Sequence, residues 1–291
     1  MCCHCEDYFL GESSSQVSSY DFICKTLFNV LVSIARTHYC SVLSRQRQSQ
    51  ESVKDYASRN GKRSETSPSC MREKCDEDKE MILGIESSGL TGGVALVAPN
   101  GIVGSVVVTS KTLYSQRLLP SVDWLMSKAG VTLGEVTGIA VSLGPGSFTG
   151  LRVGLSMAKG LAFAAKLPLV GICTLEGLAL RAIFPGSPLR VCPVIDARQG
   201  LVYAALYEIV TPSSDSNHRD PWSLVPALRC VKSPVACKLE DLFGWISEPT
   251  LFAGDGALHY RENLEANLGC NFVLAPPHKV LPSPEEIAVL G

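Results

Sequence analysis

Three short runs of β-branched and other apolar residues follow one another directly after Met81, and their order limits the folds open to this chain. The runs cover residues 82–86, 93–97 and 102–109 and are separated by Gly, Pro and Asn, which predicts three strands joined by hairpins. The elements predicted next are a helix (116–128), a strand (138–143), a helix (149–166), a strand (169–172) and a helix (175–183). Periodicity alone therefore indicates an α/β domain with a mixed sheet.

A second set of elements follows in residues 186–291. The predicted elements are two strands forming a hairpin (191–196 and 201–209), a loop (211–223), a strand (251–253), a helix (258–268) and a strand (272–274). A last helix is predicted to begin at Pro284 with Ser283 as its N-cap. The sequence thus predicts a first lobe over 81–185 and a smaller second lobe over 186–291, and we expect the C-terminus to be truncated within the last helix.

The first eighty residues have a different composition. Residues 44–80 are dominated by Ser, Gln, Arg, Lys, Glu and Asp, and such a segment is expected to be a disordered linker because it cannot bury enough apolar surface. Residues 20–43 carry apolar side chains at helical spacing, which predicts one amphipathic helix. We hypothesise that the native product begins at Met81 and that residues 1–80 are a largely disordered extension.

Charge and cysteine usage narrow the class of protein. The formal net charge is -2 and the pI is about 6.2, so the chain lacks the basic excess of a protein that grips nucleic acid by itself. The apolar stretch 26–35 is far shorter than the roughly 20 residues of a membrane span. The five cysteines after Met81 follow no framework spacing, and we expect reduced thiols in a cytoplasmic protein.

Two glycine-containing turns are candidates for contact with a nucleotide. Glu86, Ser87 and Ser88 end the first predicted strand, before a glycine-rich turn. Backbone N–H groups in such turns can bind phosphate. The second turn contains Gly144, Gly146 and Ser147 and leads into a helix for which Thr149 is a possible N-cap. Each turn is also consistent with a tight connection shaped only for packing, since neither is a Walker loop.

The helix after the second turn has an unusual surface. Gly150, Gly154, Ala158 and Ala162 recur every four residues, which makes a smooth stripe that another backbone can approach closely. A polar strip is formed by Arg152, Ser156 and Lys159. The pattern leaves two interpretations open: the stripe packs inside its own lobe, or it packs against a partner helix.

Several segments in one order resemble the TsaB (YeaZ) family. They are ILGIESS (82–88), QRLLP (116–120), LGPGSFTGLR (143–152), PLVGI (168–172), LE (175–176), DAR (196–198) and VYAALY (202–207). The resemblance covers most of residues 81–291, and LGPGSFTGLR is its most specific element. It implies a two-lobed actin-like ATPase (ribonuclease-H-like) fold, in which three meandering strands are followed by β-α-β-α.

The resemblance also implies a role and partners. TsaB proteins are non-catalytic scaffold subunits that pair with the transferase TsaD through helices of the first lobe, alongside the ATPase TsaE, to form N6-threonylcarbamoyladenosine at position 37 of tRNA. Contact with tRNA would be indirect, ATP or ADP is a candidate ligand at the complex, and a homodimer through the same helix is an alternative for the subunit alone. The resemblance assigns the partner interface to Leu118, Leu119, Gly150, Leu151, Arg152, Gly154, Leu155, Ala158, Lys159 and Ala162.

Catalysis by the chain itself is the rival interpretation. TsaD-type enzymes hold a metal with a His-x-x-x-His motif, and Thr174 and Leu178 occupy the corresponding positions here. Neither side chain supplies the required ligand, so we expect no metal site and no metallopeptidase activity. An ATP-dependent phosphotransferase using Glu86, Ser87 and the Gly144 turn remains the alternative.

Overall fold

The computed structural model describes residues 80–110, 114–210, 222 and 225–291, which belong to one compact unit. The predicted helix at 20–43 lies outside these residues, as do the predicted linker up to residue 79 and most of the predicted loop at 211–223.

The first part of the described chain contains a five-stranded sheet and three helices, and the third of these helices packs its buried side mainly against the second sheet. Its elements are β1 (Ile82–Glu86), β2 (Thr91–Ala98), β3 (Gly101–Thr109), α1 (Tyr114–Ala129), β4 (Gly138–Gly144), α2 (Phe148–Ala165), β5 (Leu169–Cys173) and α3 (Thr174–Ala182). The strand order is β3-β2-β1-β4-β5. Strands β1 to β3 form an antiparallel meander, and β4 and β5 run parallel to β1.

The second sheet repeats this arrangement. Its elements are β6 (Arg190–Arg198), β7 (Leu201–Val210), β8 (Ala227–Lys238), α4 (Leu239–Phe243), β9 (Thr250–Ala253), α5 (Asp255–His259), α6 (Arg261–Leu268) and β10 (Phe272–Leu274). The order is β8-β7-β6-β9-β10, again with an antiparallel meander followed by two parallel strands. Two sheets of the same order are the arrangement of the actin-like ATPase fold expected from the sequence.

Alternation along β1 places different residues on the two faces of the first sheet. Leu83 and Ile85 are completely buried in a cluster that also contains side chains of α1 and α2. Gly84 points to the opposite face, where a Cβ atom would lie 2.8 Å from the Cβ of Ala288. The sheet is therefore covered on both faces, which explains why β1 and β2 read as nearly continuous apolar runs.

The last helix, α7 (Pro284–Leu290), packs against the first sheet and not the second. Ile287 is buried among first-sheet residues with Ala140 and Ile172. The sequence placed residues 186–291 in one lobe because the order of elements along the chain does not indicate that the last helix returns to the first sheet. Ser283 occupies the N-cap position of α7 as expected, but its hydroxyl is buried and makes no capping hydrogen bond.

Two parts of the second sheet differ from the sequence-based expectation. The single helix predicted at 258–268 is two helices, which meet at Tyr260, whose side chain hydrogen-bonds to Asp196. Strand β8 was missed altogether. It is an edge strand with exposed Val231 and Val235 and an internal Pro234; such a strand lacks the alternation that identifies half-buried strands.

Candidate functional site

The smooth stripe of α2 faces the first sheet. A Cβ atom on Gly154 would lie 3.0 Å from the Cβ of Ser87, and one on Gly150 would collide with the Ser87 carbonyl oxygen. Ala158 and Ala162 are buried in the core cluster of the same sheet. Of the two interpretations left open by the sequence, packing inside the lobe is the one that the structure shows. These four residues are therefore not available to a partner, although the resemblance had assigned them to the interface.

Two adjacent leucines of α1 have opposite environments. Leu118 is 1% exposed and belongs to the core cluster, whereas Leu119 is 54% exposed. Leu118 therefore belongs to the core and not to the predicted interface, whereas Leu119 remains accessible to a partner. On α2, Arg152 and Lys159 are exposed, and Leu151 and Leu155 are half-buried. The surface that remains for a partner is the outer side of α1 and α2.

A groove of about 510 Å³ runs between the outer sides of these two helices. Its lining residues are Tyr114, Ser115, Leu118, Leu119, Arg152, Val153, Ser156 and Met157. Leu118 reaches only the floor. Sequence reasoning missed Tyr114, Val153 and Met157, although Val153 and Met157 are four residues apart and so share one face of the helix. We call this surface the α1–α2 groove.

Aromatic and cationic side chains border the α1–α2 groove. The guanidinium carbon of Arg152 lies 3.9 Å from the centroid of the Phe148 ring. At the start of α1, the guanidinium carbon of Arg117 lies 4.0 Å from the Tyr114 ring centroid, and its NH1 group donates to the Val108 carbonyl at 3.0 Å. These cation–π contacts hold the charges at the groove, and neither guanidinium pairs with a carboxylate among the residues that the structure describes.

Tyr114 connects the groove to the first hairpin. Its hydroxyl donates a hydrogen bond to the carbonyl oxygen of Gly89 at 2.7 Å. Burial is the main cause that raises the pKa of Tyr114 to about 12. The side chain is therefore neutral at physiological pH and fixes the first turn of α1 on the loop between β1 and β2.

The carboxyl group of Glu86 lies in a completely buried polar cluster beneath α2. Its Oε1 atom accepts a hydrogen bond from the Ser88 N–H at 2.6 Å, and the Ser87 N–H donates to the Ser142 hydroxyl at 3.3 Å. Burial raises the pKa of Glu86 above its usual range. The Oε2 atom of Glu86 and the hydroxyl of Ser87 have no hydrogen-bond partner within the described part of the chain.

The second turn seals this cluster. The Ser147 N–H donates to the Ser88 carbonyl, and a Cβ atom on Gly146 would lie 2.8 Å from the Cβ of Ser88. The Ser147 hydroxyl accepts a hydrogen bond from the Gly150 N–H at 3.3 Å, so Ser147 and not Thr149 is the N-cap of α2.

The candidates for nucleotide contact therefore have different positions. Glu86, Ser87 and Ser88 are at most 4% exposed and present no surface to a nucleotide in this structure, because the Gly144–Ser147 turn lies over them. Gly144 and Gly146 are half-buried and Ser147 is exposed. Gly146 serves a close approach to the loop at Ser88, which a sequence cannot distinguish from an approach to phosphate.

Thr174 and Leu178, at the positions of the TsaD metal ligands, are both fully buried on α3. Within the described ranges, no three His, Cys, Asp or Glu side chains lie close enough together to hold a metal ion. None of the helices described has the length and apolar character needed to cross a membrane.

Comparison with known proteins identifies the family. Residues 99–243 match the family model TsaD, tRNA N6-adenosine threonylcarbamoyltransferase. The Bacillus subtilis protein named tRNA threonylcarbamoyladenosine biosynthesis protein TsaB is 29% identical over 214 residues, 72% of this chain and 86% of the relative. The Haemophilus influenzae protein of the same name is 32% identical over 164 residues, 56% of this chain and 67% of the relative. This chain belongs to the TsaB family.

A solved structure has the same fold. YeaZ from Pseudomonas aeruginosa superposes with a TM-score of 0.59 at 29% identity, covering 72% of this chain and 90% of that protein. The two-lobed actin-like ATPase fold and the TsaB assignment expected from the sequence are therefore confirmed. The match to the TsaD model also shows that residues 99–243 of this chain are similar in sequence to that family.

Proposed function

We propose that this chain is the non-catalytic partner subunit of a TsaD-type transferase, and that it supports formation of N6-threonylcarbamoyladenosine at position 37 of tRNA. In this proposal the α1–α2 groove docks on the transferase, the ATPase TsaE joins the assembly, and tRNA is reached through the complex in the cytoplasm. Membership of the TsaB family supports the pathway.

The observation that carries the docking role is the open apolar surface of α1 and α2. Leu119, Trp124 and Phe148 are 54%, 54% and 47% exposed, and Phe163 near the end of α2 is 88% exposed. These four large apolar side chains on one pair of helices favour a protein–protein interface there, because a surface in contact only with water gains nothing from exposing them. The groove between the helices gives a partner side chain a place to insert.

The proposal that the chain is non-catalytic rests on the residues found at the metal-ligand and nucleotide positions that an enzyme of this kind would use. Thr174 and Leu178 replace the ligand positions of TsaD and are enclosed by packed side chains. Glu86, the acid among the candidates for nucleotide contact, lies beneath the Gly144–Ser147 turn. The structure therefore supports a scaffold better than the alternative ATP-dependent phosphotransferase.

The test is association of the full chain with the TsaD-type subunit of the same organism. Size-exclusion chromatography with light scattering is expected to give a one-to-one complex, and transfer of threonylcarbamoyl to tRNA by the purified components is expected to require this chain. A Leu119→Ser variant should weaken the complex, with Val231→Ser on the edge strand β8 as a matched control.

Three results would count against the proposal. If both proteins are folded and no complex forms, the docking role is wrong. If the purified chain hydrolyses ATP and Glu86→Gln abolishes that activity, Glu86 takes part in chemistry and the phosphotransferase alternative gains support. A homodimer of the isolated chain that persists at equimolar TsaD-type subunit would place the second copy in the groove.

A further inference from the structure

The α1–α2 groove has a basic border. Helices α1 and α2 together carry four cations and one carboxylate; the cations are Arg117, Lys128, Arg152 and Lys159, and the carboxylate is Asp123. None of the four cations forms an ion pair with any residue that the structure describes. The described ion pairs all lie in the later part of the chain, on residues from Arg181 onward. A concentration of unpaired cations on an apolar docking surface calls for a complementary charge on the partner.

The cations of α2 form a regular pattern. Arg152 and Lys159 are exposed and seven residues apart, about 10 Å along the axis at about 1.5 Å per residue. Phe148 and Phe163 flank them and are themselves exposed. The outer strip of α2 therefore presents an aromatic ring, two positive charges and a second aromatic ring in sequence, and α2 contains no acid.

From this pattern we infer that the groove selects an acidic amphipathic helix of the TsaD-type partner, with two carboxylates about 10 Å apart that face Arg152 and Lys159. The inference rests on the proposed function and adds the chemistry of the partner surface. Apolar side chains of that helix would fill the groove between Leu119 and Met157, and its carboxylates would pair with the two cations at the border.

A second copy of this chain fits the same surface less well. Two copies that pair through the same groove form a two-fold interface, in which identical surfaces meet. Each α2 would bring Arg152 and Lys159 to the other without an acid on either α2. Asp123 is the single carboxylate on the two helices, so it leaves at least one of the two cations of each α2 uncompensated in a self-pair. Like charges brought together lower affinity and so disfavour the self-pair.

Charge-reversal variants distinguish an acidic helix of the TsaD-type subunit from a second copy of this chain as the occupant of the groove. Arg152→Glu and Lys159→Glu are each expected to weaken the complex of the full chain with the TsaD-type subunit by about tenfold, equivalent to about 1.4 kcal/mol. The loss should shrink as sodium chloride rises from about 50 mM to about 500 mM, because salt screens exposed charges. Self-association, followed by analytical ultracentrifugation, should not decrease. Lys232→Glu, at an exposed position on β8, is the matched control. It should change neither the affinity for the TsaD-type subunit nor the affinity of self-association by more than about twofold.

The outcomes distinguish this inference from the proposed function. If the unmodified chain binds the TsaD-type subunit and both reversals change the affinity by less than twofold, the acidic-helix inference is wrong while the docking role stands. If the unmodified chain does not bind that subunit at all, the proposed function itself fails. If the reversals weaken self-association and leave the heteromeric affinity unchanged, a second copy is the occupant and the inference is overturned.

Discussion

Adding one methyl group at Gly154 should destabilise the fold, although alanine is the better helix former. A Cβ atom at Gly154 would overlap the Ser87 hydroxyl oxygen and lie 3.0 Å from the Ser87 Cβ. Overpacking of this kind typically costs about 1–3 kcal/mol, and replacing a helical glycine by alanine returns about 1 kcal/mol. We therefore expect Gly154→Ala to lower the free energy of unfolding by about 1 kcal/mol.

Gly160 provides a matched control in the same helix. A Cβ atom there would have no other atom within 4 Å, so Gly160→Ala should raise the free energy of unfolding by about 1 kcal/mol. The two variants should differ by about 2 kcal/mol, or about 4–8 °C in Tm for a domain of this size. Urea unfolding followed by circular dichroism measures the difference directly.

The identity of the colliding group gives the experiment a second arm. Ser87→Ala removes the hydroxyl with which the new methyl group overlaps, and that hydroxyl has no described hydrogen-bond partner. Combining Ser87→Ala with Gly154→Ala should therefore recover much of the loss, and the double-mutant cycle should show a clear coupling free energy. Equal stabilities for Gly154→Ala and Gly160→Ala, together with additive effects of the double variant, would refute the close packing of α2 on β1.

Three further predictions follow from the described contacts. Leu118→Ala should cost about 2–4 kcal/mol of stability because its side chain is in the core, whereas Leu119→Ala should change stability by less than about 0.5 kcal/mol and weaken binding to the TsaD-type subunit; chemical unfolding and titration calorimetry measure the two effects. Since the pKa of Tyr114 is raised to about 12, its contribution is complete below pH about 10 and is lost as pH rises to about 12; the stability of Tyr114→Phe should fall less steeply over that window in pH-dependent urea unfolding. Arg181→Met should lower stability by about 1–2 kcal/mol, because it removes the ion pair with Glu286 at 3.2 Å that holds α7 to α3. If this pair is the cause, Glu286→Gln should also lower stability in thermal unfolding, by a smaller amount.

The sequence was sufficient to predict the first sheet because its strands are runs rich in β-branched residues bounded by turn residues, and this holds even for the exposed edge strand β3. Strand β1 has the predicted bounds, and its neighbours differ by one or two residues at their ends. Periodicity failed at β8, where Val231 and Val235 are exposed on an edge strand. It also could not place α7, whose contact with Gly84 joins residues about two hundred positions apart.

The candidate site could likewise be predicted only in part from the sequence. A repeat of small residues predicts that a backbone approaches α2 closely, but it contains no information on which backbone. The structure shows that Gly150 and Gly154 pack against Ser87, the residue that directly follows the chain's own β1. The buried position of Leu118 and the exposed position of Leu119 likewise depend on the rotation of α1 on the sheet. Gly146 accommodates the neighbouring loop at Ser88, and this requirement for glycine produces the same sequence as a phosphate-binding turn.

The claim that the α1–α2 groove docks on the TsaD-type subunit is tested most directly by site-specific photo-crosslinking. A benzophenone amino acid is placed at Leu119 on the groove or at Val231 on β8, both exposed positions, and the full chain is irradiated with its partner. The account predicts a crosslinked heterodimer from position 119 and none from position 231. A crosslink from position 231 alone, with both variants folded and bound, would contradict it.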